Sequence, residues 1–196
     1  IAGYYKFKIT FTNYTRPEVL TNFPALIKLS EAIPGFNYLT FRSPNGYDLK
    51  FWSADELTQL PHEIERWNPG GESLVWVKVP SFSSNAFIFA IWGDTFSTKP
   101  PVSQTDGSVW NDTFAGVWHL NTTNTLDSTA NRHHGVRKAP QGYTVPAVVA
   151  NGAIGSAVRL DPNQRQYVDF GGVNPGIAGD HSFALEAWVR REHYRD

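Results

Sequence analysis

The segment His62–Arg66 carries two glutamates whose spacing could place two carboxylates side by side. Glu63 and Glu65 are two residues apart, so on a β-strand they project from the same face. A pair of carboxylates is the acid/base machinery of glycoside hydrolases. The alternative is a solvated or hydrogen-bonded strand face, and the sequence favours this alternative because no third acidic residue continues the pattern.

Other catalytic patterns are incomplete. His62 and Glu63 begin like the HExxH zinc motif, but Arg66 occupies the position of the second histidine and the segment has strand periodicity. The E-x-D-x-x-E arrangement of concanavalin A-like glucanases is absent, since Glu186 and Glu192 have a different spacing. The sequence also lacks a Gly-x-Ser-x-Gly nucleophile elbow. We therefore predict that the chain is not an enzyme.

Three histidines could be imagined around a transition metal. His133 and His134 are adjacent, and adjacent residues on a strand point to opposite faces, so we interpret them as a loop pair. His119 follows a tryptophan in an apolar stretch. We expect His119 to be packed or hydrogen-bonded as part of the structure.

An oxygen-rich loop runs from Asp127 to Asn131. Such side chains suit a hard cation such as Ca²⁺, which takes six to eight oxygen ligands including backbone carbonyls. Asp127 and Asn131 are therefore candidate ligands of a structural calcium ion. The alternative is an ordinary Asx turn, in which Asp127 accepts hydrogen bonds from backbone amides two residues on.

Features of the sequence outside its apolar pattern favour an exported protein. The chain has no cysteine, which excludes disulfides and thiolate metal sites. It opens at Ile1, as expected of a mature product from which a leader was removed. Asn-x-Ser/Thr sequons at Asn13, Asn111 and Asn121 are candidate glycosylation sites. The alternative is that such triplets arise by chance in a chain rich in Thr and Asn.

The segments that carry these residues are predicted to be β-strands. Tyr5, Phe7, Ile9 and Phe11 alternate with polar residues, which is typical of a strand with one buried face. Residues 62–67, 74–79 and 87–92 are further strands separated by turn sequences. Residues 114–120, 157–160, 167–170 and 183–189 are predicted strands separated by longer loops. Thirteen prolines and sixteen glycines disfavour helices. We predict an all-β protein with antiparallel sheets.

Charge and hydropathy limit the partners. The formal net charge is -1, so no long-range field would attract nucleic acid, and no apolar run approaches the ~20 residues that span a bilayer. Aromatic residues make up 14% of the chain, and exposed rings could stack on sugars. Most of the tryptophans lie within strand patterns, which favours packing over sugar binding.

The polar, proline-bearing stretch 94–108 separates two aromatic-rich blocks, and we interpret it as an inter-domain connection. The first block resembles the domain of unknown function 2341 (DUF2341). The residues that carry the resemblance are 20–28, 48–51, 60–65, 75–80 and 91–94.

The second block is similar to the start of a laminin-G-like, concanavalin A-like jelly roll, on residues 116–120, 127–131, 152–161 and 183–189. The two resemblances together imply two tandem antiparallel β-sandwiches, at residues 1–112 and 113–196. They also imply a large prokaryotic cell-surface protein, in which related jelly rolls often hold a structural calcium.

The jelly roll is apparently incomplete, because in that family many strands follow the one resembling residues 183–189. We therefore expect either that the polypeptide continues beyond Asp196 or that a neighbouring copy supplies the missing strands and covers the apolar face of residues 183–189. One interpretation is strand exchange, in which the segment carrying Tyr5, Phe7, Ile9 and Phe11 completes the sheet of a neighbouring copy. The other is that this segment is the first strand of its own domain.

Three functions stay open at this point. The first is a non-catalytic extracellular module of the adhesion type, which binds glycans or other surface proteins. The second is a structural subunit that polymerises with copies of itself into a fibre. The third is a hydrolase of the glucanase superfamily, for which the expected carboxylate pattern is missing.

Overall fold

The computed structural model describes residues 4–93, 96–172 and 182–191. Its strands are β1 (Tyr5–Thr10), β2 (Leu20–Leu29), β3 (Lys50–Trp52), β4 (Gln59–Leu60), β5 (His62–Arg66), β6 (Ser73–Phe82), β7 (Phe87–Trp92), β8 (Val136–Lys138), β9 (Ala147–Val149), β10 (Ala157–Arg159) and β11 (Tyr167–Asp169). Helical structure in these ranges is limited to short 3-10 turns at Tyr38–Thr40, Val102–Gln104 and Pro162–Gln164. All strands pair antiparallel, which confirms the prediction of an all-β protein.

The chain divides by its internal contacts into two units. Unit 1 comprises Ile1–His119 and Leu126–Arg132, and unit 2 comprises Leu120–Thr125 and His133–Asp196. This division differs from the predicted boundary between residues 112 and 113, because residues 113–119 and 126–132 belong to unit 1. Gly107 illustrates the close packing within unit 1, because a Cβ there would collide with the backbone nitrogen of Ala130.

Unit 1 contains a four-stranded sheet, in the order β1-β7-β3-β4, and a three-stranded sheet, in the order β2-β6-β5. Apolar residues from both sheets form one hydrophobic cluster, whose largest fully buried members are Trp92, Phe51, Leu29, Leu49 and Leu60. Because side chains alternate between the two faces of a strand, every second residue enters this cluster. On β6, Val75, Val77 and Val79 are buried in this cluster, while the intervening Trp76 and Lys78 project to the opposite face.

The outer edge of β5 is closed by side chains in place of a further strand. Ser103 accepts from the backbone nitrogen of His62 at 3.1 Å and donates to its carbonyl at 2.6 Å. Gln104 does the same for Ile64, accepting at 2.7 Å and donating at 3.2 Å. These residues lie in the stretch 94–108, which was predicted to connect two domains. In the structure its described part is a component of unit 1, because its side chains satisfy the backbone of β5.

Unit 2 contains two separate two-stranded ladders, β8 with β11 and β9 with β10. An isolated bridge between Thr125 and Gly135 precedes β8. Ladders of two strands are marginal in water without further support. Side chains supply some of it: Gln164 accepts from the backbone nitrogen of Thr144 at 3.1 Å, and Gln166 donates to the carbonyl of Thr144 at 2.7 Å. The finer prediction of two tandem sandwiches stays a prediction.

Two stretches predicted as strands have no regular secondary structure in the described ranges, residues 114–120 and 183–189. In the first, the backbone nitrogen of Val117 donates to Oδ1 of Asp127 and its carbonyl accepts from the backbone nitrogen of Ser128, all within unit 1. The second is exposed along its described length. Predictions that involve Asp94 or Glu192 lie outside the described residues. In the described part of the chain, no helix has the length and apolar character needed to cross a membrane.

Candidate functional site: a histidine between two buried glutamates

The outer face of the three-stranded sheet positions the two glutamates. Glu63 and Glu65 alternate with His62 and Ile64 along β5, so both carboxylates leave the hydrophobic cluster on the same side. Glu63 is paired in register with Trp76 of β6, which brings an indole ring beside the carboxylates. The spacing argument that put Glu63 and Glu65 on one face is therefore confirmed.

The chain after β7 covers this face. His119 lies between the two carboxylates, with its Nδ1 2.6 Å from Oε2 of Glu65 and its Nε2 3.4 Å from Oε1 of Glu63. Its ring centroid is 5.6 Å from that of Trp110 and 6.2 Å from that of Trp76. An ionic cluster is thus enclosed by indole rings.

Neutral donors also bind the two carboxylates. Trp76 donates from Nε1 to Oε2 of Glu65 at 3.2 Å, and Trp110 donates from Nε1 to Oε2 of Glu63 at 3.0 Å. Ser128 donates from Oγ to Oε1 of Glu63 at 2.8 Å. Each carboxylate therefore has an indole donor in addition to the imidazole, as buried charges require.

The electrostatics follow from this enclosure. Burial by itself lowers the pKa of His119, but the hydrogen bonds and negative charges of Glu63 and Glu65 outweigh it and raise that pKa to about 10. His119 is accordingly an imidazolium at neutral pH. The side chains of His119, Glu63 and Glu65 are only 11%, 8% and 1% exposed, so this charge is largely sheltered from solvent.

The two carboxylates hold the imidazole ring of His119 from opposite sides, which suits a structural role. The carboxylates contact opposite nitrogens of one ring, so they do not converge on a common point for a metal or a substrate. No group of three metal-ligating carboxylates, histidines or cysteines was found among the described residues. This network links β5 to the chain segments that carry Trp110, His119 and Ser128. We name it the Glu–His–Glu clamp.

The opposite face of β5 carries His62, which is 1% exposed and packs edge-on against Phe51 at a centroid distance of 5.2 Å. Neither ring nitrogen has a well-formed hydrogen-bond partner in the described part of the chain. Burial lowers the pKa of His62 to about 4, and the nearby backbone of Leu60 only partly opposes this. His62 is therefore neutral and embedded in the core.

Asp127 and Asn131 form hydrogen bonds of the kind that the turn interpretation predicts. Oδ1 of Asp127 accepts from the backbone nitrogens of Val117 and Thr129, both at 2.9 Å, and Oδ2 accepts from the Thr129 hydroxyl at 2.8 Å. The amide nitrogen of Asn131 donates to the carbonyls of Phe114 and Ala115, both at 3.2 Å. Calcium binding by these two residues stays a prediction.

The sequon asparagines differ in their surroundings. Asn13 is exposed in a turn after β1, whereas Asn111 and Asn121 are half-buried. The Asn111 side-chain amide donates to the carbonyl of Asn22 at 3.4 Å, and its Oδ1 accepts from the backbone nitrogen of Thr113 at 3.0 Å. Their glycosylation stays a prediction. His133 and His134 lie in the loop before β8, outside any strand.

The segment proposed for strand exchange is the edge strand of its own sheet in this single chain, paired with β7. Tyr5 stacks on Trp92 at a centroid distance of 5.7 Å, and Phe7 meets the same ring edge-on at 5.6 Å. Ile9 faces the same cluster, and Phe11 lies 4.7 Å from Phe82. Exchange between copies stays a prediction, and it would require these contacts to be released or replaced.

Sequence reasoning did not find the partners of the carboxylates. Trp110, His119 and Ser128 follow Glu63 by 47, 56 and 65 positions, and no local spacing links them to β5. The available signals were the expectation that Glu63 and Glu65 form a hydrogen-bonded strand face and the expectation that His119 is packed or hydrogen-bonded. Comparisons of the chain with protein-family models, with curated proteins and with solved structures found no match.

Proposed function

We propose that this chain is a non-catalytic module of an extracellular surface or matrix protein, and that it recognises glycans or other surface molecules. The observation that carries the proposal is the Glu–His–Glu clamp. Glu63 and Glu65 are the pair of carboxylates that a glycosidase interpretation would need. Both form ion pairs and hydrogen bonds with other side chains of the same chain. Carboxylates that act on a glycosidic bond must instead flank a substrate.

The extracellular setting is supported by a glycosylation sequon. The exposed Asn13 in a sequon suits an exported, glycosylated protein. Intact-mass measurement of the protein isolated from its natural source tests this part. A mass equal to that of the unmodified chain would remove the glycosylation argument.

The catalytic part is tested by incubating the whole chain with a panel of polysaccharides and measuring released reducing ends. We expect no release from the wild type, and no difference in Glu63→Gln or Glu65→Gln after circular dichroism has verified that each variant is folded. A polysaccharide that the wild type cleaves and either folded variant spares would overturn the proposal. Binding is tested in parallel on a glycan array, where we expect retention on at least one glycan class.

A second candidate function is a subunit of an extracellular fibre. The observation that favours it is residues 182–191, where Phe183, Leu185, Trp188 and Val189 are between 64% and 85% exposed. Burying such side chains contributes roughly 1.5–3 kcal/mol each, which favours association with another sheet.

Electron microscopy and sedimentation of the purified chain separate the two candidates, since filaments indicate a subunit and discrete particles a module. Deleting residues 1–12 then tests strand exchange. A fibre built through β1 should become monomeric. Loss of folding in a protein that was already monomeric would instead show that β1 serves its own sheet.

A further inference from the structure

A group of aromatic rings in unit 1 surrounds Phe82, the last residue of β6. The ring centroids of Phe11, Tyr14 and Phe23 lie 4.7, 4.9 and 4.8 Å from that of Phe82. We name these four residues the Phe82 cluster. Phe11, Tyr14 and Phe82 are half-buried and Phe23 is 36% exposed, so the described residues leave part of each member uncovered.

The turn after β1 places Asn13 between two members of this cluster. The backbone nitrogen of Tyr14 donates to the carbonyl of Phe11 at 3.0 Å, which closes a turn over residues 11–14. The Cα atoms at the two ends of such a turn are less than about 7 Å apart, so a group attached to Asn13 starts close to both aromatic residues. The Tyr14 hydroxyl donates to the carbonyl of Glu18 at 3.1 Å, which holds its ring beside the turn.

Asn13 is the sequon asparagine whose side chain is most open to modification. Asn13 and Thr15 are exposed, and neither side chain forms a hydrogen bond within the described part of the chain. By contrast, the side-chain amide of Asn111 donates to the carbonyl of Asn22, and Asn121 is half-buried. N-glycosylation uses the amide nitrogen of an asparagine in a surface loop, so the structure favours Asn13 over the other two.

We propose that Asn13 carries an N-linked glycan whose first sugar packs on the Phe82 cluster. The transfer forms a bond between Nδ2 of Asn13 and the anomeric carbon of the sugar. The amide nitrogen loses a proton, and the diphosphate of a lipid-linked oligosaccharide donor leaves with the bonding electron pair. This inference rests on the proposed extracellular setting, and it adds the modified residue and the surface that receives the glycan.

The covalent link makes a weak contact between sugar and rings effective. The apolar face of a sugar can pack on an aromatic ring, and attachment at Asn13 makes this contact intramolecular. The receiving surface exists only in the folded chain, because Phe11, Phe23 and Phe82 come from separate segments of the sequence. A contact that forms in the folded state and not in the unfolded state stabilises the fold.

The first test identifies the modified residue on the whole folded chain. The chain is incubated with a purified oligosaccharyltransferase and a lipid-linked oligosaccharide, and peptide mass mapping locates the glycan. We expect modification of Asn13 in preference to Asn111 and Asn121. Thr15→Ala, which removes the sequon, should leave Asn13 unmodified. Modification of Asn111 or Asn121 without Asn13, or no modification of the wild type, would overturn the assignment.

The second test compares urea denaturation of the modified and unmodified chains. We expect the glycan on Asn13 to lower the unfolding equilibrium constant roughly fivefold. Phe11→Leu should remove most of this gain, whereas Phe96→Leu, at an exposed ring outside the cluster, should retain it. Each variant is compared with and without its glycan, so the cost of the substitution itself cancels. Phe23→Leu replaces Phe11→Leu if the latter does not fold.

An unchanged unfolding constant in the modified wild type would overturn the packing of the sugar on the Phe82 cluster. A gain of the same size in the wild type and in the folded variant of the cluster would also overturn it. Neither result bears on glycan recognition, because the glycan-array and polysaccharide measurements test the proposed function separately.

Discussion

The two faces of the sheet formed by β2, β6 and β5 each bury a histidine, and the pKa values of these two histidines are shifted in opposite directions. On the inner face, His62 packs against Phe51 without a well-formed hydrogen bond among the described residues, and burial lowers its pKa to about 4. On the outer face, His119 is held by Glu63 and Glu65, whose charges raise its pKa to about 10 in spite of burial. The presence of charged partners, and not burial alone, decides the charge of a buried imidazole.

The two histidines therefore contribute to stability in opposite directions along the pH scale. His119 has a folded pKa above its unfolded value of 6.5, so its stabilising contribution is fully present below pH 6.5 and is lost as pH rises through about 10. His62 has a folded pKa below 6.5, so the folded state is progressively disfavoured as pH falls from 6.5 to about 4. The two losses therefore begin on opposite sides of pH 6.5, toward acid for His62 and toward alkali for His119.

The largest expected effect comes from removing the cation of the clamp. His119→Ala leaves two carboxylates buried without their shared partner, and breaking a buried ion pair in this way costs about 3–5 kcal/mol. Urea denaturation near neutral pH measures the change in the free energy of unfolding. Asn85→Ala, at an exposed turn position, is the control and should change it by less than about 0.5 kcal/mol. A loss below about 1 kcal/mol in His119→Ala would contradict the account of the clamp.

The next effect concerns the unpartnered histidine. The difference between 6.5 and about 4 in the pKa of His62 corresponds to a loss of about 3 kcal/mol on acidification, at about 1.4 kcal/mol for each pKa unit. His62→Leu has a similar volume and cannot be protonated. Denaturation midpoints at about pH 7 and about pH 4.5 should therefore diverge less in His62→Leu than in the wild type. Parallel behaviour of the two proteins would show that His62 is not neutral in the core.

The smallest expected effect comes from a substitution that leaves both ion pairs of the clamp in place. Ser128→Ala removes one neutral donor from Glu63 while His119 and Trp110 stay, and we expect a loss of about 1 kcal/mol. Ser84→Ala, at an exposed turn position, is the matched control and should be close to neutral. A loss in Ser128→Ala as large as in His119→Ala would mean that Ser128 is essential to the enclosure of the carboxylate.

Strand positions were predictable where one strand face enters the core. The predicted strand 87–92 coincides with β7, because alternating apolar residues there face one cluster. The same reasoning was wrong for residues 114–120, which are not a strand in the structure. Apolar character is present there too, but it serves to cover the outer face of a sheet, and periodicity cannot distinguish a covering segment from a strand.

The sequence by itself determined that the chain is built from antiparallel strands and that Glu63 and Glu65 share one face, because strand periodicity is a local property of the backbone. Only the tertiary structure decided that His119 lies between those carboxylates while His62 packs against Phe51 in the core, with no carboxylate partner among the described residues. Residues 63 and 119 meet because the chain after β7 returns across β5, and the path of such a return depends on long-range packing. Charge state followed from that packing, since the same imidazole is neutral in one environment and cationic in the other.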